Sequence, residues 1–321
     1  MSSLDKQLST AFSTGGGGLR FEIQVQASFV ALMLAGGFAP CLPCNPINKI
    51  KLQGKFADYQ TDDLIVFTQD PIGNRERKLL GQIKHSIKIT EKDSTFKEVI
   101  QAAWLDFKNP NVFTKRNDVI ALITGPLSAT DTSDVRTILD WARHSEDSEE
   151  FFQKVELVKF SSDQKRNKLK AFKTNLKKAN NNEEVPDDEI FNFLKHFHLL
   201  GYDLDIRAGV TLAFLHSLIG QYSPSDVSSI WARIVEEVSS ANQNAGTICA
   251  DSLPENLILV FKKPPIETIP ESFVKPKTPK PHQSWGSQEE VKALATAMLL
   301  GKWQETKESD VEIITRLIDG L

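Results

Sequence analysis

Apolar residues recur at helical spacing over residues 20–35. Phe21, Val25, Phe29 and Leu32 form one line, and Ile23, Ala27, Val30 and Leu34 another. Apolar residues on both lines predict a helix packed on more than one side. Gly15–Gly18 precedes it as a loose entry, and Gly36-Gly37 ends it. The period then changes to two. Residues 47–52 alternate apolar and polar, and 63–68 form a short β-rich run. A turn cluster at 70–74 leads into a longer strand over 78–89, so the two runs predict a hairpin. An amphipathic helix over 96–107 and a continuous apolar strand over 119–124 follow. A helix over 134–143 and a further strand over 155–160 complete this part.

From Asp163 the pattern turns helical, over about 163–180, 187–200, 207–221 and 224–243. Residues 262–284 hold six of the fifteen prolines and few apolar positions, which predicts an extended linker. Short helical patterns at 288–300 and 310–318 come after it. The expected organisation is therefore an α/β domain over 1–160 and a helical extension over 161–261. A Pro/Lys-rich linker follows over 262–285. A short helical segment over 286–321 then reads as the start of a further module. The expected fold class is a mixed sheet flanked by helices, followed by a mainly α-helical region.

Composition changes this picture little. The 321 residues carry three cysteines, too few for a disulfide scaffold. No apolar run reaches membrane-spanning length and the first ten residues are polar, so the expected location is cytoplasmic with no membrane partner. The net charge of −4 excludes a uniformly basic coat. It hides a local excess: residues 151–182 carry nine Lys or Arg against two acids, a net of +7. Lys165, Arg166, Lys170, Lys173 and Lys177 are the candidates there for gripping phosphates without reading sequence. A solvated helix face has the same pattern.

The candidate chemistry lies elsewhere. Glu22 starts the first helix, Asp63 starts a strand, and Gln82 and Lys84 share one face of the next strand. Each has an ordinary reading when taken singly: a carboxylate favoured by the helix dipole, a turn acid, and the solvated face of an edge strand. Together they offer two acids and an amide oxygen, donors suited to Mg²⁺, beside a lysine that could stabilise charge on a phosphate.

In this order the four residues resemble the PD-(D/E)XK nuclease core in its Q-x-K form, as in Mrr-like restriction endonucleases and double-stranded-DNA endonuclease effectors of antiphage systems. The words Gly-Gly-x-x-Phe-Glu, which ends in Glu22, Thr61-Asp62-Asp63-Leu64, and Gln82-Ile83-Lys84-His85-Ser86 carry the resemblance. It spans roughly residues 15–125 and is greatest to the nuclease region of STAND-type antiviral ATPases. The resemblance implies a restriction-endonuclease-like sheet and a Mg²⁺- or Mn²⁺-dependent endonuclease acting on double-stranded DNA. Glu22, Asp63 and Gln82 would be the metal ligands and Lys84 the catalytic lysine. It also implies activation by homo-oligomerisation or by a partner ATPase or sensor module. The rival expectation is a non-catalytic DNA-binding or adaptor module on the same fold.

Other motifs are weaker. No Gly-Lys is followed by Ser or Thr, so there is no P-loop. Cys41-Leu42-Pro43-Cys44 has no second cysteine pair for zinc and reads as a loop.

Overall fold

The computed structural model describes residues 16–262, apart from 71, 72, 74 and 207. The linker and terminal segment expected over 262–285 and 286–321 lie outside the described residues, save Lys262. Along the described chain, α1 (Gly17–Leu34) leads to β1 (Ile47–Leu52), β2 (Leu64–Gln69) and β3 (Glu76–Lys84). Next come α2 (Ser94–Lys108), β4 (Val119–Thr124), α3 (Ala129–Arg143) and α4 (Ser148–Glu156). Then follow α5 (Asp163–Ala179), α6 (Asp187–His196), β5 (Phe197–Gly201), α7 (Val210–Gly220), α8 (Val227–Gln243), β6 (Thr247–Cys249) and α9 (Glu255–Lys262).

The strands form one mixed sheet in the order β5-β4-β3-β2-β1-β6. β6, β1, β2 and β3 are antiparallel neighbours, whereas β3, β4 and β5 run parallel. This is the mixed α/β sheet flanked by helices that the pattern predicts. The β2–β3 hairpin pairs Leu64 with Gly81 and Gln69 with Glu76.

The core has a layer on each side of the sheet. Leu80, Ile120 and Leu122 face α2 to α6, while Leu79, Ile83, Ala121 and Ile123 face α1, α7, α8 and α9. This alternation is the period of two expected for buried strands. The two-sided pattern of α1 is explained as well. Phe21, Val25, Phe29 and Val30 are all buried, each burial contributing roughly 1.5–3 kcal/mol.

Three expected elements differ. Residues 155–160 form no strand: α4, capped by Asp147 accepting from the Glu150 N–H, runs through Glu156. Leu157, Val158 and Phe160 are then exposed, and Phe160 stacks on Trp141 with centroids 4.8 Å apart. The helix expected over 187–200 stops at His196, and Phe197–Gly201 joins the sheet as β5. There Phe197 and Leu199 are buried in alternation, so a strand's period takes over within one apolar run. The strand expected over 78–89 ends at Lys84. The mainly helical 161–261 segment thus contributes β5 and β6 to the same sheet.

Two arginines of α3 reach β5 from the side. Arg143 Nη1 donates to the Phe197 carbonyl at 3.0 Å, and Arg136 Nε to the Leu199 carbonyl at 3.4 Å.

Candidate active site

The β2–β3 and β3–β4 ladders end at different heights. β2–β3 pairing stops at Leu64 and Gly81, while β3 stays paired with β4 as far as Lys84 and Thr124. Gln82-Ile83-Lys84 therefore extends beyond the start of β2, and the Ile83 N–H has no ladder carbonyl on that side. Asp63 fills the gap. Its Oδ2 accepts from Ile83 N at 2.7 Å, Gln82 Nε2 at 2.5 Å and Lys84 Nζ at 3.3 Å. The neighbouring Asp62 instead sits 3.8 Å from Lys55 Nζ.

Glu22 is held from the other direction. Its Oε1 accepts from Gln53 Nε2 at 2.8 Å, Asn242 Nδ2 at 2.9 Å and Gln26 Nε2 at 3.1 Å. Gln26 ties the halves together, because its Nε2 also donates to the Asp63 carbonyl at 2.8 Å. Glu22, Asp63, Gln82 and Lys84 are thus one connected cluster drawn from α1, the β2 entry and β3. Each carboxylate uses one oxygen in these bonds and leaves the other outside them.

Burial shapes the electrostatics. Desolvation raises the Asp63 pKa, opposed by Lys84 and by the Ile83 N–H. Desolvation also raises Glu22, and the nearby Asp63 charge adds to it. Two acids face one lysine, so the cluster is one negative charge in excess when ionised. A cation would relieve both the desolvation and the repulsion.

The residues fit a hard divalent ion in donor chemistry. Gln82 is buried, its Nε2 is committed to Asp63, and its Oε1 has no hydrogen-bond partner. A buried acceptor without a partner costs free energy unless something else fills the role. Two carboxylates and this amide oxygen are donors of the kind Mg²⁺ takes. Among the described residues there is no group of three His, Cys, Asp or Glu side chains with metal-binding geometry. The third donor here is an amide.

Gln26, Gln53 and Asn242, which hold Glu22, belong to no motif of the sequence. Gln26 had a signal: a polar residue four positions on from Glu22, in a helix apolar on both sides. Gln53 and Asn242 had none, since they reach the site only through the left-handed backbone at Gln53 (φ 49°) and the packing of α8 on α1.

The basic stripe is placed differently. α5 packs with α2 and α3 on the sheet face opposite α1. All five candidates meet acids there. Lys165 pairs with Asp134 at 3.1 Å, Arg166 with Asp163 at 2.6 Å, Lys170 with Glu91 at 3.1 Å, and Lys173 with Asp187 at 2.9 Å. Lys177 pairs with Glu184. The Arg166–Asp163 pair lies within α5, while the other four tie α5 to residues outside it and offset four of the seven net positive charges read from the sequence.

The charge on Glu22 makes a prediction. Its folded pKa lies above the ordinary value of 4.5. The protonated form is thus favoured by folding, and stability is lost as pH rises through the folded pKa. Without divalent ions, Glu22→Gln is expected to melt ~2–4 °C above the parent at pH 8, about what 1 kcal/mol gives a chain of this size. The difference should vanish near pH 4. Thermal unfolding at both pH values checks it, and an equal difference at both would refute the electrostatic account.

No family model matches the chain, and no curated protein matches it in sequence. Among solved structures it is similar to the SAVED/CARF-domain containing receptor Cap4 of Acinetobacter baumannii with the cyclic trinucleotide 3'3'3'-cAAA. That match has 12% identity and a TM-score of 0.42, and covers 77% of this chain and 50% of that one. The same receptor in a second structure gives 11% identity and a TM-score of 0.43, over 77% and 49%. The chain spans about half the length of the solved chains it matches. Likeness at this level assigns neither a family nor a ligand.

Proposed function

We propose that the chain is a Mg²⁺-dependent endonuclease that hydrolyses phosphodiester bonds of double-stranded DNA. The observation that carries this reading is the convergence of Glu22, Asp63, Gln82 and Lys84 where β2 and β3 part, with the Gln82 Oε1 buried and unpartnered. The resemblance to Q-x-K nucleases supports the reaction and its setting, an effector of antiphage defence. There, self-association or a partner ATPase or sensor module would raise a low basal activity.

Glu22, Asp63 and Gln82 are the residues that would hold the ion. Bound there, Mg²⁺ would offset phosphate charge and make a water more acidic. The protein's own contributions are positional. The Lys84 ammonium, tethered to Asp63, donates to a phosphate oxygen and stabilises charge developing at phosphorus. Gln26, Gln53 and Asn242 fix the Glu22 carboxylate, so little reorganisation is needed when substrate arrives. Water forms the new P–O bond, the ester P–O bond breaks, and the departing alkoxide takes up a proton.

The test is plasmid cleavage at raised protein concentration with Mg²⁺ or Mn²⁺. The parent is expected to nick and linearise the plasmid, and Asp63→Ala to leave it intact. A parent that binds duplex but never cuts, under any of these conditions, would instead support the non-catalytic DNA-binding or adaptor module.

A further inference from the structure

One aromatic side chain on the turn that follows Gln53 is turned outward. Phe56 is 90% exposed, more than any other large apolar residue among those described. It lies at the tip of a single 3-10 turn, Gly54–Ala57. The turn is flanked by two non-glycine residues in the left-handed region, Gln53 at φ 49° and Asp58 at φ 66°. Such a backbone conformation is strained and persists only where surrounding contacts impose it.

Those contacts are present at the base of the turn. Gly54 N donates to the Asp62 carbonyl at 2.7 Å, and Asp58 N to the Lys55 carbonyl at 3.1 Å. Gly54 is packed so closely that a Cβ there would lie 2.3 Å from Ile65 Cδ1. The turn is therefore a rigid knuckle, and its most exposed residue is a phenylalanine.

The knuckle is continuous with the proposed active site. Gln53, which opens it, holds Glu22, and Asp62, which anchors it, precedes Asp63. Phe56 lies three residues from Gln53, so their Cα atoms are at most roughly 11 Å apart. Gln53 in turn reaches the site through its side chain, whose Nε2 is 2.8 Å from Glu22 Oε1, so the knuckle and the site share one connecting residue. Lys55 and Asp58 carry opposite charges, so the knuckle's distinguishing chemistry is an apolar ring. A rigid exposed aromatic suits insertion at a base step, where apolar wedges unstack and kink the duplex.

We propose that Phe56 is a DNA wedge: it inserts between bases close to the scissile phosphate and positions the strand for cleavage. This rests on the nuclease reading, and the experiment separates the two. The intact chain in EDTA is titrated with a short duplex containing 2-aminopurine, whose fluorescence rises on unstacking, and plasmid cleavage is measured in parallel with Mg²⁺. The parent should raise the fluorescence. Phe56→Ala should abolish that rise and weaken duplex binding about tenfold, in the range of one base–aromatic stack. Phe56→Trp should restore both, and melting temperature should not move in either variant. If Phe56→Ala raises the fluorescence, binds and cuts like the parent, the wedge is overturned and the nuclease reading stands; the ring then belongs to some other contact, such as a protein partner. If the parent itself neither binds nor cuts DNA, both are overturned.

Discussion

Lys84→Ala is expected to lower Mg²⁺-dependent plasmid cleavage by about 10²–10³-fold, the usual loss when one preorganised charge donor is removed from a transition state. The geometry gives the reason. Lys84 Nζ is 3.3 Å from Asp63 Oδ2, and the side chain remains 30% exposed, so it can face substrate while tied to the acid. Removing it also withdraws the positive charge that partly offsets the cost of ionising a buried Asp63. The alanine variant should therefore lose stability at high pH more than at low pH, as the uncompensated carboxylate ionises. Lys84→Arg separates the two effects. It keeps the charge, and so most of the fold's stability, but alters the position of the donor, so cleavage should stay low. Full cleavage by Lys84→Ala would sink the catalytic assignment.

The second large effect is expected at a residue that touches no substrate. Asp106, on α2, is 1% exposed. Its Oδ1 accepts from Gln60 N at 2.9 Å and its Oδ2 from Thr61 N at 2.6 Å. It fixes the approach to β2, and with it the position of Asp63 two residues later. Asp106→Ala leaves two backbone donors without their acceptor, which should cost about 2–4 kcal/mol in urea denaturation. Asp106→Asn keeps one acceptor and should fall between. Cleavage by the folded fraction should drop as well, because Asp63 loses its anchor. An alanine variant as stable as the parent would show that water or a shifted backbone replaces the carboxylate.

The four candidate residues were legible because each sits where a local pattern is strong. Glu22 opens a two-sided helix, Asp63 precedes an apolar run, and Gln82 and Lys84 obey a strand's alternation. The hairpin register that brings them together pairs Leu64 with Gly81 and Gln69 with Glu76. What was not legible depends on tertiary contact. Phe197–Gly201 reads as a continuation of a helix, because nothing local marks where an apolar helix becomes an apolar strand. Its place beside β4 decides the matter. The 155–160 run has strand-like composition, yet a capped helix overrides it from Asp147. Asn242 lies 220 residues from Glu22, and no periodicity links them. The basic stripe is a different case. Its lysines and arginine were correctly placed on a helix, but their partners, Asp134, Glu91, Asp187 and Glu184, are scattered along the chain. Charge summed within one window cannot see them.

The arginines of α3 have a bearing on how copies of this chain can meet. Among the described residues β5 is the last strand on its side of the sheet, and an open border of carbonyls is a template for another chain's strand. Arg143 and Arg136 already occupy the Phe197 and Leu199 carbonyls along that border. A neighbouring molecule would have to displace both guanidinium groups before it could continue the sheet. At the opposite border β6 offers only three residues, Thr247–Cys249. Among the described residues, both borders of the sheet thus resist runaway strand-to-strand polymerisation, one by occupied carbonyls and the other by its shortness.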